Sequence, residues 1–258
     1  MVERQVTAVI DAHAHCGEMD RSWSQDFADY ARQVADTDIV GVAFFSPVME
    51  IYDRYDINFV DTPEWRKSRR RSNAYLLSLR SPALTVYPYF FIWNDFAVDQ
   101  LSPVHCGIKW HRHADEPVYH YNASRCAEAL DAIRRRNLPV VLEEELDNTV
   151  RFIKELAHGI RVIIPHLGGL NGGFRAIADQ GLWARENVWA DTALASRSEI
   201  EAYMEDYGHG RLMFGSDFPF GDPASELRKV RSLGLDPGTE KAILSGNFMR
   251  LQGAIRGE

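Results

Sequence analysis

The stretch Val9-Ile10-Asp11-Ala12-His13-Ala14-His15-Cys16-Gly17-Glu18, VIDAHAHCGE, decides how the rest of the chain is read. An apolar run ends in two histidines separated by one alanine. Side chains two apart on an extended strand share a face, so Asp11, His13 and His15 are expected on one side. His-x-His in this setting offers a metal ion two imidazole nitrogens from one direction. It equally suits histidines that only hydrogen-bond where a strand leaves the core. The choice rests on what other strands bring to the same place.

The first strand is read as VTAVI (6–10), with His13 and His15 following it. Seven more short apolar runs come after it: IVGVAFF (39–45), LTVYPYFFI (84–92), CGIKW (106–110), PVVLEE (139–144), RVIIP (161–165), NVWAD (187–191) and RLMFGS (211–216). Segments with helical spacing lie between them, such as ASRCAEALDAIRRRN (123–137) and RSEIEAYMEDYG (197–208). Several begin after Asn, Ser, Thr or Asp and stop near Gly or Asn, as capped helices do. Apolar strands alternating with helices imply a parallel sheet covered by helices. Eight such units in 258 residues favour an α/β fold of the (β/α)8 TIM-barrel type, with room for distortion, since that barrel takes ~250 residues. No Pro/Gly/Ser-rich linker divides the chain, so residues 1–258 are expected to form a single domain. The longest irregular region, 46–62, reads as a lid or pocket wall through Tyr52 and Tyr55.

The formal charge is −8, which argues against nucleic acid or an anionic membrane surface as partner. The densest basic run, RKSRRR (66–71), reads as a solvated helix face because NAYLLSL follows it. Three widely spaced cysteines, Cys16, Cys106 and Cys126, fit a reduced interior, and no charged-then-apolar leader or long apolar span is seen. A cytoplasmic location, a small-molecule substrate and, as a base-rate expectation, a homodimer follow.

In a parallel barrel the reactive side chains come from the C-terminal strand ends. Lys109 and His111 end the fourth strand, Glu143 the fifth, His166 the sixth and Asp217 the eighth. Strand alternation puts Lys109 with His111, and Val141 with Glu143 and Glu145. It also puts Val162 with Ile164 and His166, and Met213 with Gly215 and Asp217. Five strands can thus aim a ligand-type residue at one axial point. Divalent ions bind imidazole nitrogen and carboxylate oxygen, and a catalytic site keeps one position open for water.

The segments DAHAH, GIKWH, VIIPHLGG, LMFGSDFPFGDP and ILSGNFMRLQG resemble the amidohydrolase-related family of metal-dependent TIM-barrel hydrolases. That branch also contains aminocarboxymuconate semialdehyde decarboxylase-like enzymes. The resemblance runs from about Val9 to Gly253. It implies that His13 and His15 are metal ligands, that His166 binds metal or orients substrate, and that Asp217 ligates metal and handles the proton. Asn247 of the closing motif is expected to be structural. The sequence departs from the pattern at the fifth strand, where Glu143, or Glu145 on the same face, stands in place of a histidine.

The expected metal set is therefore His13, His15, Glu143, His166 and Asp217, with His166 and Asp217 catalytic. Zinc is the first choice, and the extra carboxylate leaves manganese or a two-metal site open. Lys109 could pair with Glu143, hold a substrate anion, or bridge two metals as a carboxylated lysine. His111, Arg112 and Trp93 are expected to line the substrate pocket, with one or two of Arg112, His113 and His120 touching substrate. Asp191 could support the site from behind, and Cys16 is expected to pack. The implied activity is hydrolysis of an ester, lactone or amide bond in a small anionic substrate through a metal-activated water. The alternative is a metal-dependent non-oxidative decarboxylase, in which Lys109 or Arg112 would hold a carboxylate.

Overall fold

The apolar runs form one ring of strands in the computed structural model, which describes residues 8–17, 25–46, 58 and 60–256. The strands are β1 (Val9–His15), β2 (Ile39–Phe45), β3 (Thr85–Ile92), β4 (Gly107–His111), β5 (Val140–Glu143), β6 (Val162–Ile164), β7 (Val188–Asp191) and β8 (Leu212–Met213). Each is parallel to the next and bonded to it in chain order. The ring closes where the chain beyond β8 returns to β1. There Ala12 N donates to Phe214 O at 2.8 Å and His15 N to Phe218 O at 2.7 Å. The fold is the expected (β/α)8 barrel.

Helices α1 (Phe27–Val34), α2 (Pro63–Ser78), α3 (Ser124–Arg135), α4 (Leu146–Arg151), α5 (Phe174–Asp179), α6 (Arg197–Tyr207) and α7 (Pro223–Arg231) follow successive strands; α8 (Pro237–Lys241) and α9 (Asn247–Arg256) end the chain. Their starts are chemically marked. Thr62 accepts from Trp65 N at 3.3 Å ahead of α2, and Ser196 with Glu199 forms a reciprocal capping box on α6. Between β3 and β4 a single 3-10 turn, Val98–Gln100, stands where a helix would be expected.

Strand alternation sorts the core into two. Ala43, Tyr89, Val141, Ile163 and Met213 pack inside the ring, with Phe248 and Leu251 of α9 completing that cluster. Trp110, Leu142 and Ile164 face outward against helix residues such as Leu130 and Ile133. β1 breaks the alternation. Ile10 and Ala12 belong to the inner cluster, but Val9 and Ala14 belong to the outer one. The pairing of β1 with β2 slips between Asp11 and Ala14, and such a bulge re-aims the side chains that follow it. The expectation that Asp11 shares a face with His13 and His15 is therefore corrected. Asp11 accepts from Tyr30 Oη and Ser216 N, both at 2.9 Å, and ties β1 to the chain after β8. The two histidines also lie within β1 rather than after it.

Cys16 and Cys126 are buried and all three cysteines are free. Cys16 packs in the outer core, as expected. The basic run lies on α2 as read, except that Arg69 is buried, stacked 4.5 Å over Trp65 and paired with Asp95. Tyr52 and Tyr55 of the expected lid lie outside the described residues. Among the described residues no helix is long and apolar enough to cross a membrane.

Asn247 has the structural role expected of it. Its Nδ2 donates to His209 O at 2.8 Å and Leu212 O at 2.7 Å, which fastens α9 beneath β8. Asn247→Leu leaves two inward carbonyls without this donor and should cost about 1–3 kcal/mol. A fall in the denaturation midpoint at unchanged metal affinity is the expected result.

Candidate metal centre

Residues from five strand ends meet around His13 Nε2. Asp217 Oδ1 lies 3.3 Å from it, Glu143 Oε1 3.7 Å and Lys109 Nζ 3.3 Å. His15 Nε2 is 3.3 Å from the same Asp217 oxygen, and His166 Nε2 is 3.6 Å from Glu143 Oε1. Two ligand-type triads share His13: His13, His15 and Asp217, and His13, Glu143 and His166. Within each triad the ligand atoms lie within 4.8 Å of one another. His13 and Lys109 are fully buried, whereas His15, His166 and Asp217 keep 6–8% of their surface exposed. Solvent therefore reaches the cluster from the His15–His166–Asp217 side.

Two of these residues reach the site by leaving the strand conformation. β6 ends at Ile164, which faces outward, so simple alternation would carry His166 outward too. Instead His166 (φ 55°) and Leu167 (φ 47°) adopt the left-handed region, which turns the imidazole into the mouth. Asp217 sits at φ 56° for the same purpose. Each such non-glycine position costs of order 1–2 kcal/mol and must be held in place. His166 N donates to Asp191 Oδ1 at 3.0 Å, and Asp217 N to His13 O at 2.7 Å. Gly215 permits the close approach of the two chains, since a Cβ there would lie 2.9 Å from that of His13.

Each ligand-type imidazole is locked from behind. His13 Nδ1 bonds Asp191 Oδ2 at 2.9 Å, His15 Nδ1 bonds Ser46 O at 3.3 Å, and His166 Nδ1 bonds Ala193 O at 3.1 Å. A carbonyl oxygen can only accept, so Nδ1 of His15 and of His166 carries the hydrogen. In the neutral ring the lone pair then resides on Nε2, which points at the cluster. A metal-ligating histidine is prepared in this way.

Electrostatics supports the same conclusion. Burial opposes the charge on Glu143, but the Lys109 ammonium and His111 outweigh it and hold the carboxyl well below its usual range. Burial is likewise outweighed at Asp217 by His15 and His13, and at Asp191 by His13, so both carboxyls are shifted down. Burial and Lys109 push His13 down to about 4, which keeps its Nε2 unprotonated. Three ionised carboxylates thus face the Lys109 ammonium and at most one imidazolium, so the buried cluster is at least one positive charge short. His166, disfavoured as a cation by burial, is nevertheless raised to about 9 by Glu143 and Asp217, which reflects the same deficit. A divalent cation supplies the missing charge, and the inward Nε2 atoms supply its ligands, so the residues present fit such an ion.

Of the two fifth-strand candidates, Glu143 faces the site and Glu145 is exposed and bound to Arg112. Lys109 contacts Glu143 Oε1, and His111 Nε2 donates to Glu143 Oε2 at 2.6 Å. Arg112, expected to bind substrate, is engaged by glutamates. Its Nη1 holds Glu144 at 2.8 Å and Glu145 at 2.7 Å, and Nη2 donates to Glu116 O at 3.0 Å. Trp93 is buried and its ring meets Trp65, Phe91 and Tyr119. It serves as packing beside β4 rather than as an open pocket wall. Sequence reasoning underweighted Asp191. Its one signal was an aspartate closing a buried strand, VWAD, at the level of the other polar strand ends.

A model of the amidohydrolase family matches residues 104–251, and no curated protein matches the chain. Among solved structures, a candidate 2-pyrone-4,6-dicarboxylic acid hydrolase from Pseudomonas putida is 17% identical, with a TM-score of 0.67 over 96% of this chain and 98% of that one. A dihydroxybenzoic acid decarboxylase from a Polaromonas species, with bound manganese and 2-nitroresorcinol, is 14% identical, with a TM-score of 0.70 over 95% of this chain and 96% of that one. An amidohydrolase from Burkholderia multivorans with bound zinc is 15% identical, with a TM-score of 0.68 over 95% of this chain and 99% of that one. At these identities the likeness is one of fold.

Chelator-stripped protein should gain stability on titration with Zn²⁺ or Mn²⁺, by about 2.7 kcal/mol at 100 times the dissociation constant. Asp191→Asn, which weakens the hold on His13 and His166, should lower metal affinity about 10–100-fold, measured by competition with a chromogenic chelator. Unchanged affinity in that variant would show that Asp191 does not support the ligands.

Proposed function

The chain belongs to the amidohydrolase family, and on that premise we propose that it is a metal-dependent hydrolase. It cleaves an ester, lactone or amide bond in a small organic molecule. His13, His15 and Asp217 would hold the ion, with His166 on its open side, and three imidazoles with one carboxylate make zinc the preferred ion. When bound, a divalent cation there supplies Lewis acidity, which makes water more acidic and steadies negative charge developing on a carbonyl oxygen.

The observation that carries this reading is Asp217, an ionised carboxylate at the solvent-reached edge of the cluster, fixed between two imidazoles. Water attacks the carbonyl carbon and Asp217 takes its proton. The carbon–oxygen or carbon–nitrogen bond then breaks, and Asp217 returns the proton to the leaving atom. His166 faces the same edge and, in its protonated form, can donate an Nε2–H hydrogen bond to the oxygen that gains charge. Phe220 stands beside His15 with ring centroids 5.8 Å apart and is 47% exposed. It gives the entrance an apolar side suited to an organic substrate.

Decarboxylation is the competing chemistry of the same barrel, and neighbours in fold include decarboxylases. The two cations that would have held a substrate carboxylate, Lys109 and Arg112, are both engaged by glutamates. That pairing favours hydrolysis, and it also removes the main reason to expect an anionic substrate.

A panel of esters, lactones and amides, run beside aromatic and unsaturated carboxylates with CO₂ detection, tests the proposal. Hydrolysis should be found with metal-loaded protein, and Asp217→Asn should lower it about 10²–10⁴-fold in folded protein of known metal content. CO₂ release without hydrolysis would replace this reading with the decarboxylase.

A further inference from the structure

The basic run on α2 does more than solvate a helix. Arg70 lies four residues after Arg66 and three after Lys67, so it neighbours each of them on the helix surface. That surface lines a cavity of about 300 Å³, whose wall is completed by Arg125 at the start of α3 and by Asp95 and Asp99 near the β3–β4 turn. None of the lining residues belongs to the metal centre.

The charges in this cavity do not cancel. Arg66 is bound to Asp61 at 2.8 Å, and Asp95 is bound by Arg69. Among the described residues no carboxylate pairs with Lys67, Arg70 or Arg125, and Asp99 is the one acid of the lining with no ion pair. Three cations against one anion leave a positive hollow on a protein whose formal charge is −8. Like charges drawn from two different helices repel one another unless an anion lies among them. The hollow is a half-open depression with exposed basic side chains, and it has the volume of a small-molecule site.

We propose that this cavity binds a small, multiply charged anion bearing a phosphate or clustered carboxylates, at a site separate from the metal centre. Guanidinium groups at Arg70 and Arg125 offer paired N–H donors to such oxygens, and Lys67 adds a compact charge. The inference is independent of the reaction performed at the barrel mouth.

Isothermal titration with inorganic phosphate and, separately, with citrate tests it at about 0.15 M ionic strength. Saturable binding at one site per chain is expected with at least one of the two probes, and it should persist after the metal is removed with chelator. The double variant Arg70→Gln, Arg125→Gln should bind about tenfold or more weakly, a loss of about 1.4 kcal/mol, while its melting temperature and metal content stay unchanged. Absence of saturable binding to either probe, equal binding by the variant, or binding that disappears with the metal would each overturn the proposal. The last result would place the anion on the ion at the barrel mouth.

Discussion

Asp191 is the fixed point on which the mouth of this barrel depends. One carboxylate oxygen receives Nδ1–H of His13 from β1, and the other receives the backbone N–H groups of His166 and Ala193. Two chain segments remote in sequence are thereby referred to a single side chain at the end of β7. The bond to His13 sets its tautomer, and the bond to His166 holds a backbone that would otherwise relax out of the left-handed region. Geometry and strain are resolved by one residue that itself offers no ligand atom to the cluster. Its burial is tolerated because every oxygen is satisfied by donors that also need it.

The charge balance of the site follows from the same arrangement. Buried carboxylates are expensive unless paired, and this cluster gathers three of them around one ammonium. Protonation of His166, whose pKa is raised to about 9, corrects only part of the deficit, and His13 is held neutral by burial and by Lys109. The barrel therefore folds around a hollow that favours added positive charge. Its imidazoles already turn their Nε2 atoms toward that hollow. This preorganisation separates a metal centre from a collection of polar residues that share a strand end.

The barrel itself was legible in the sequence because strand and helix periodicities are local. Eight apolar runs, their caps and the chain length were enough to identify it. The inward aim of Lys109, His111 and Glu143 was legible for the same reason, since β4 and β5 are regular and alternation holds along them. It failed at β1, where a bulge separates Asp11 from the face of His13, and at β6, where His166 arrives by a left-handed turn rather than by parity. Neither device has a local signature, because both are imposed by the neighbouring strand and by Asp191. The partners of Arg112 were illegible for a related reason: Glu144 and Glu145, which bind it, follow β5 and are brought to it only by the pairing of β4 with β5.

Glu143 in place of the histidine suggested by the family resemblance is best understood through its neighbour. β4 and β5 pair with His111 opposite Glu143, so Lys109 and His111 both lean toward that carboxylate from the adjacent strand. An imidazole at position 143 would leave the Lys109 ammonium fully buried without its counter-charge. Removing one partner of a buried pair costs about 3–5 kcal/mol. The glutamate and the lysine therefore form a unit: given Lys109, a carboxylate at 143 is the residue that lets β4 and β5 close. Glu143 Oε1 is occupied by that ammonium and Oε2 by His111. What remains for an ion is the opposite corner, where His15 and Asp217 converge on His13. On the proposed reading, the unusual fifth strand would leave a cation toward β1 and β8, the two strands whose junction closes the barrel.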